Sequence, residues 1–152
     1  MTTFVATVDH AEIVAQLLWD FNTEFDAETP TVQDFAQRFR HLLGRDDVLV
    51  LLAESAEEPA GFAMLTFRPT PYCDGPLAYL EELYVRPALR DAGIGTRLLQ
   101  FALDDALARG CCEMHIGVDA VDTDARRFYE RHSFSNLEPD TGTQMLLYLR
   151  EL

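Results

Sequence analysis

The apolar positions of the first third of the chain recur at helical spacing in two segments. The first segment, residues 10–25, places apolar side chains along one face: Val14, Leu17, Leu18, Phe21 and Phe25. The second, residues 32–43, follows Thr31, which can cap a helix start, and precedes Gly44, which is typical of a helix end. A short strand in "TFVATV" and two helices are therefore predicted.

Strand-like apolar runs follow. "DVLVLLAE" and "GFAMLTFRP" flank a turn, and "LAYLEELYV" comes after a loop rich in proline and glycine. A helix from about Ile94 to Arg109 ends at Gly110, and the remainder predicts a strand in "EMHIGVD", a helix in "DTDARRFYERH" and a last strand in "TQMLLYLREL". The order predicts one α/β domain over residues 1–152, with a mixed sheet that is antiparallel in its N-terminal half, a β-α-β crossover in its C-terminal half and helices on both faces.

Segments that would direct the chain to a membrane or out of the cell are not recognisable. The longest purely apolar run, "VLVLLA", is far shorter than a bilayer span. The first residues, "MTTFVATVDHAEIV", have no basic lead before an apolar stretch, so we expect a cytoplasmic protein without a membrane partner.

The three cysteines suit that expectation. Their number is odd, Cys111 and Cys112 are adjacent, and Cys73 stands far from them. No metal-binding spacing such as C-x-x-C is present, so neither a disulfide nor a metal site is expected, and the thiols should be buried or idle.

The charge balance is strongly acidic. The formal net charge is −14, from 26 acidic and 12 basic residues, and every basic residue is arginine. Nucleic acid is thus a poor partner. Such a surface attracts cations, which favours a polycationic substrate such as a polyamine, although acidity can equally serve solubility or salt tolerance.

A glycine motif, R-x-x-G-x-G, lies between a predicted strand and a predicted helix and consists of Arg90, Gly93 and Gly95. Leu98 stands where a dinucleotide fingerprint needs its third glycine, and the chain has no lysine for a Walker loop. A helix N-terminus with glycines nevertheless suits a phosphate, and Arg90 could add a forked donor. The alternative is that the glycines only ease a sharp turn.

"LYVRPALRDAGIGTRLLQFAL" followed by "DARRFYERHSF" resembles the GNAT superfamily of acetyl-CoA-dependent N-acyltransferases, over residues 61–137. The resemblance implies a GNAT-like mixed sheet and acetyl-CoA as the co-substrate, with no metal. It implies that the cofactor lies on the strand and loop positions Leu83, Tyr84, Val85, Arg90, Asp91, Ala92, Gly93, Ile94, Gly95 and Thr96, and on Asp122.

The resemblance also assigns catalytic roles. Tyr129 stands where the family places a tyrosine beside the thioester sulfur, and Glu81 and Glu82 are the candidate bases for the amine. Strand alternation puts the two acids on opposite faces. Tyr129 could instead be a core aromatic, and either acid could be a surface charge.

Within the superfamily, "YLEELYV", "MHIGVDA" and "FYERHSFSNL" look most like diamine and polyamine acetyltransferases, so a small-molecule amine is the expected partner. The acceptor pocket would include residues at the end of the first helix and in the loop after it: Trp19, Phe25, Asp26 and Glu28. These could also be ordinary core and loop. The alternatives are an acetyltransferase for aminoglycosides or for protein and peptide amines, or a degenerate CoA-binding sensor. Homodimers are common in the superfamily.

Three positions depart from the family pattern. Asp122 replaces a usual asparagine and could be only a helix cap, and Ser133 replaces the glycine before Phe134. Asp91 puts a negative charge near the expected pyrophosphate, so its side chain should point to solvent. His115 could relay a proton but could also be a plain core or surface histidine.

Overall fold

The computed structural model describes all residues, 1–152, and the chain divides into two compact units, Met1–His115 and Ile116–Leu152. The strands are β1 (Thr2–Val5), β2 (Val48–Ser55), β3 (Glu58–Arg68), β4 (Leu77–Val85) and β5 (Met114–Ile116). The α-helices are α1 (Ala11–Glu24), α2 (Val32–Leu42), α3 (Ile94–Ala108) and α4 (Thr123–Arg131). No helix is both long and apolar enough to cross a membrane.

The sheet has the strand order β1-β2-β3-β4-β5. The first four strands pair antiparallel, with Leu51 opposite Ala63 and Gly61 opposite Val85. Helix α3 connects β4 to β5. The predicted mixed α/β fold with an antiparallel first half is therefore confirmed.

Helices cover both faces of this sheet. On one face, α1 and α2 pack their apolar stripes against alternate strand residues; the cluster includes Val14, Leu17, Phe35, Phe39, Val50, Leu52, Phe62 and Tyr84. Helix α3 buries Leu98, Leu99 and Ala102 and contacts β2, β3 and β4. Since side chains alternate along a strand, the intervening strand residues, such as Leu51 and Leu65, face the other way.

The helix ends follow the predicted signals closely. Thr31 caps α2 by accepting a hydrogen bond from the Asp34 N–H at 3.1 Å. Helix α2 ends at Leu42 with Leu43 as its C-cap, and Gly44 follows the cap without a left-handed backbone angle, whereas Gly110 follows the C-cap of α3 in the left-handed conformation, at φ 80°.

The predicted last strand is wrong. Residues 143–152 form no strand, and the segment takes part only in an isolated bridge between Leu137 and Gln144. All residues from Thr143 onward are exposed. The apolar residues that predicted this strand therefore do not pair with the sheet of the chain.

The expectation of free thiols is also wrong for two of the three cysteines. Cys73 and Cys112 form a disulfide across 39 residues, while Cys111 is a buried free thiol. The fold brings the two segments together, because a Cβ atom on Gly75 would lie 2.0 Å from the carbonyl oxygen of Gly110. Only glycine allows this backbone approach, and no spacing rule in the sequence reveals it.

Candidate active site

The turn between β4 and α3 contains two residues with left-handed backbone angles. Asp91 and Gly93 both adopt left-handed conformations, at φ 62° and 79°. A Cβ atom on Gly93 would meet nothing within 4 Å, so this glycine is required by its backbone angle rather than by crowding. The first helical bond is donated by Arg97 N–H to the Gly93 carbonyl, which leaves the N–H groups of residues 94–96 for an anion.

The Asp91 side chain lies as expected from the sequence. The residue is exposed, although its charge borders the helix N-terminus. Its left-handed backbone is unusual for a residue with a side chain, and aspartate is among the few types that adopt it regularly.

Arg90 is paired within the protein. Its Nη1 and Nη2 atoms donate to the two carboxylate oxygens of Glu24, each at 2.7 Å, and its Nε donates to the Val85 carbonyl at 3.0 Å. A second pair lies alongside, between Arg86 and Asp20 at 3.5 Å. Arg90 therefore carries a counter-charge from α1, a contact that the sequence reasoning missed.

A spacing in the sequence could have indicated these two pairs. Asp20 and Glu24 stand four residues apart on α1, and Arg86 and Arg90 stand four residues apart after β4. Acids at this spacing share one face of a helix, so they can meet two arginines in order.

The side chain of Tyr84 is buried in the core. Its ring is 4% exposed and stacks on Phe21 with the ring centroids 5.1 Å apart. Burial, followed by the charges of Glu24 and Asp20, raises the pKa of Tyr84. The side chain is thus part of the core, and only the main chain of this residue is suited to contact a ligand.

The backbone at the end of β4 extends beyond its neighbour. Ala78 N–H donates to the Glu113 carbonyl at 3.2 Å, immediately before β5. Strand β4 has nine residues and β5 has three, so Leu83–Val85 lies farther along than β5 reaches. Strand backbone that has no neighbouring strand on one side can pair with an extended ligand.

The two glutamates do not follow simple alternation. The register of β3 and β4 shifts at Met64 and Leu65, which pair with Glu82 and Leu80 and leave Glu81 as a bulged residue. Glu81 is exposed and accepts a hydrogen bond from the Thr66 hydroxyl at 2.6 Å. The predicted placement on opposite faces of a regular strand is therefore wrong at this point.

Glu82 has the more unusual environment. Burial, with a smaller contribution from the charge of Glu81, raises the pKa of Glu82 to about 7. A carboxyl group with that pKa can both accept and release a proton near neutral pH. The structure thus distinguishes the two acids that the sequence left as equal candidates.

The predicted acceptor residues lie in the last two turns of α1 and in the loop after it. Phe25 is 59% exposed and packs edge-on against Phe21 with centroids 5.5 Å apart, while Trp19 is 36% exposed. Asp26, at φ 52°, and Glu28 are exposed in the loop. Phe21 contacts both Phe25 and Tyr84, so it connects this group to β4.

The second unit contains Tyr129. This residue lies half-buried on α4, with its ring 5.3 Å from Phe128 and 5.6 Å from Phe134, centroid to centroid. Asp122 caps the same helix, because its Oδ1 accepts the Ala125 N–H at 3.0 Å. Ser133, at φ 68°, occupies the left-handed position for which the family uses glycine.

Two other features lie outside this group. A cavity of about 510 Å³ lies where β3 ends and β4 begins, and its lining includes Phe67, Asp74 and Arg109. None of the expected site residues lines this cavity. His115 is exposed and pairs with Glu113 at 2.7 Å. No cluster of three or more potential metal-ligating residues is present.

Comparison with known proteins decides the family. A profile of the acetyltransferase (GNAT) family matches residues 11–134. The chain belongs to this family. It is therefore an N-acetyltransferase, and the GNAT membership expected from the resemblance over residues 61–137 is confirmed.

Individual relatives agree. The chain is 36% identical over 76 residues to an acetyltransferase of Agrobacterium fabrum, a match covering 48% of this chain and 54% of that protein. It is 25% identical over 136 residues to thialysine N-epsilon-acetyltransferase of Caenorhabditis elegans, covering 90% and 84% of the two chains. A crystal structure from Arthrobacter sp. FB24 that bears an acetyltransferase name is 48% identical, with a TM-score of 0.92 over 100% of this chain and 96% of that one.

Proposed function

We propose that this GNAT protein, acting as a single domain over residues 1–152, transfers the acetyl group of acetyl-CoA directly to a primary amine of a small polycationic substrate such as a polyamine. The observation that carries the proposal is the partly buried Glu82, with a pKa of about 7, on the strand that leads into the N-terminus of α3. This arrangement supplies a base and an anion site on neighbouring segments of one chain.

The residues after β4 fit a pyrophosphate. The free N–H groups of residues 94–96 and the positive end of the α3 dipole favour an anion, and the open space at Gly93 lets a bulky group approach. The backbone of Leu83–Val85 would hold the extended arm of the cofactor. Acetyl-CoA supplies the acetyl group as a thioester.

Glu82 would take the proton of the amine. A primary ammonium group has a pKa near 10, so transferring its proton to an ordinary carboxylate costs roughly 7 to 8 kcal/mol. Since the pKa of Glu82 is about 7, that cost falls by about 3 kcal/mol. The raised pKa is therefore the feature that suits Glu82, rather than Glu81, to act as the base.

Tyr129 would donate a hydrogen bond to the departing sulfur. A phenol has a pKa near 10 and a thiol near 8.5, so complete proton transfer is uphill by roughly 2 kcal/mol. A hydrogen bond that strengthens as negative charge builds on the sulfur avoids most of that cost. This role rests on the position of Tyr129 in the family motif.

The charge distribution supports a polycationic acceptor. The chain carries a net charge of −14, and four acids occupy the end of α1 and the loop after it: Asp20 and Glu24, which pair with Arg86 and Arg90, and Asp26 and Glu28 in the loop. The relative from Caenorhabditis elegans is named for acetylating the ε-amine of thialysine, which agrees with an amine acceptor. An acidic field raises the encounter rate of such cations.

The test is release of free CoA in the presence of a panel of amines. Polyamines, thialysine, aminoglycosides, amino acids and peptides are each incubated with acetyl-CoA and the protein, and thiol release is followed. We expect polyamines to be the best acceptors, with an apparent affinity that falls steeply as salt increases. Faster release with a neutral amine, or no salt dependence, would contradict the polycationic assignment.

Two variants separate the chemical roles. Glu82→Gln should lower turnover, whereas Glu81→Gln should retain most of it. Tyr129→Phe should lower turnover without weakening acetyl-CoA binding. If acetyl-CoA raises the melting temperature but no amine accelerates thiol release, the protein is a CoA-binding sensor and the proposal fails.

A further inference from the structure

The bulge in β4 places the side chains of Glu81 and Glu82 on one face of the sheet. Glu82 lies opposite Met64, which packs against the apolar cluster beneath α1 and α2, and Tyr84 of the same strand belongs to that cluster. Glu81 is the extra residue of the bulge, and its carboxylate reaches the side chain of Thr66. Since Thr66 is two residues from Met64 on β3, it shares the face of Met64, and so does the Glu81 carboxylate.

Thr66 holds the Glu81 carboxylate from a rigid position. Its hydroxyl donates to Oε1 of Glu81 at 2.6 Å, a length typical of a hydrogen bond to a charged oxygen. Thr66 is half-buried in β3, with Val48 of β2 on one side and Tyr79 of β4 on the other, and its β-branched side chain has few rotamers. Glu81 is exposed, and a free glutamate side chain has many rotamers. The hydrogen bond to Thr66 therefore restricts Glu81 to this face.

We propose that Thr66 is a positioning residue for acetyl transfer, whose hydroxyl holds the Glu81 carboxylate beside Glu82 so that its charge acts on the candidate base. This inference rests on the proposed function, in which Glu82 receives the proton of the amine. Thr66 is not a catalytic residue in this scheme, because it acts on the reaction only through Glu81. The three residues lie on neighbouring strands of one unit, Met1–His115.

The charge of Glu81 transmits the effect of Thr66 to Glu82. Burial is the larger cause of the raised pKa of Glu82, and the charge of Glu81 is the second cause. Without the Thr66 hydroxyl, the Glu81 side chain is free to extend into solvent, where water replaces the lost donor. Its charge then acts on Glu82 from farther away, so the pKa of Glu82 should fall toward the value that burial alone sets.

Other charged groups do not take the place of Glu81. Opposite Glu82 on β3 stands Met64, which has no charge. Helix α3 lies on the other face of the sheet, and on β5 His115 pairs with Glu113. The charges of α1 and of the segment after β4 act on Tyr84, two residues along the strand: Glu24, Asp20, Arg90 and Arg86. Glu81 is therefore the charged neighbour through which β3 influences Glu82.

The test is the pH profile of kcat/KM for the amine in Thr66→Val. Valine keeps the shape of threonine but lacks the hydroxyl, so the midpoint of the rise in kcat/KM should move to lower pH by about 0.3 pH unit, with an unchanged KM for acetyl-CoA. Thr66→Ala should show the same displacement, whereas Thr66→Ser, which retains a hydroxyl, should keep the wild-type midpoint. An equal displacement in Thr66→Ser, or none in Thr66→Ala, would overturn the role of the hydroxyl.

Two controls distinguish positioning from a general effect on the sheet. In the Glu81→Gln background, Thr66→Val should cause no further displacement, because no charge is left to be held beside Glu82. Thr3→Val is the matched control, since Thr3 lies on β1 and its buried hydroxyl has no hydrogen-bond partner. This variant should keep the wild-type midpoint. A displacement in either control would show that the loss of the hydroxyl acts by another route, and would overturn the proposal.

A titration of the Glu82 carboxyl carbon by nuclear magnetic resonance separates this inference from the proposed function. The resonance reports the protonation of Glu82 without turnover, and its midpoint should fall in Thr66→Val together with that of kcat/KM. If the resonance midpoint falls while the kcat/KM profile is unchanged, Glu82 is not the base and the proposed function fails. If neither midpoint moves in Thr66→Val, although the rise in kcat/KM is lost in Glu82→Gln, only the role of Thr66 fails.

Discussion

Arg90 and Glu24 face each other in a two-pronged ion pair, with both guanidinium Nη atoms 2.7 Å from the carboxylate oxygens. Both side chains are partly exposed, at 41% and 25%. The arginine that the sequence assigned to the pyrophosphate therefore meets its ligand with a carboxylate already beside it. The pair also connects the last turn of α1 with the loop that precedes α3.

Removing the charge of Glu24 should strengthen cofactor binding. Glutamine keeps a hydrogen-bond acceptor for Arg90 but no longer neutralises it, so Glu24→Gln should lower KM for acetyl-CoA by about two- to fivefold, as expected for a partly exposed pair. The measurement is initial rate against acetyl-CoA concentration at low and high salt, where the gain should shrink as salt rises.

Asp20→Asn is the matched control for this prediction. Asp20 lies on the same helix and pairs with Arg86 at 3.5 Å, so the substitution removes a similar charge without freeing Arg90. Acetyl-pantetheine, which lacks the pyrophosphate, should show no effect of Glu24→Gln. A higher KM for acetyl-CoA in Glu24→Gln would mean that Glu24 positions Arg90 rather than competing for it.

Activity should depend on the ionisation of Glu82. With the pKa of this carboxyl raised to about 7, kcat/KM for the amine should rise with pH up to about 7, because only the carboxylate can accept a proton. This rise of kcat/KM with pH should disappear in Glu82→Gln. In Glu81→Gln it should move to lower pH, because one cause of the raised pKa is removed while burial remains.

The contribution of Glu82 to the free energy of unfolding should fall as pH rises, whereas activity should rise. The native protein holds the Glu82 proton more tightly than the unfolded chain, whose carboxyl has a pKa near 4.5. Between about 4.5 and about 7 the native state binds more protons, so the contribution of this group to the free energy of unfolding falls as pH rises. Denaturant titration of Glu82→Gln should show a weaker decline than the wild type; an identical decline would contradict the raised pKa.

The elements with regular apolar periods were predictable from the sequence. Helices α1 to α3 and strands β2 to β4 lie where the 3.6- and two-residue patterns placed them, because each buries one face or both in the core. Strands β1 and β5 and helix α4 also lie in the predicted segments, although none of them contains a buried residue. The glycine motif was equally informative, since the left-handed angle at Gly93 is a local property of the chain.

Features that depend on distant contacts were not predictable. The disulfide joins residues 39 apart, and the bulge at Glu81 arises from the register between two strands. The pairing of Arg90 with Glu24 spans 66 residues. Residues 143–152 have the apolar pattern of a strand but form none, because a strand also needs a neighbouring strand, which the pattern does not specify.

Two residues strained by positive φ provide a matched pair of substitutions. Asp91 and Ser133 have φ angles of 62° and 68°, where glycine is favoured. Asp91→Gly and Ser133→Gly should each raise the free energy of unfolding by about 0.5 kcal/mol, measured by denaturant titration. Only Asp91→Gly also removes a negative charge beside the α3 N-terminus, so only this variant should lower KM for acetyl-CoA, by about two- to fivefold. An equal change in KM for Ser133→Gly would indicate a general effect of stability instead.

The disulfide between Cys73 and Cys112 should contribute measurably to stability. It closes a segment of 39 residues, for which restriction of the unfolded chain predicts a contribution of about 4 kcal/mol. A reductant should therefore lower the melting temperature of the wild type but not that of Cys73→Ser, and mass spectrometry under non-reducing conditions should find one free thiol, Cys111, whose raised pKa reflects its burial. Stable disulfides are rare in the cytosol. Counting the free thiols of protein taken directly from cells by mass spectrometry therefore tests the expected cytoplasmic location. Three free thiols in that sample, together with a melting temperature unaffected by oxidation, would show that the bridge is not part of the working protein.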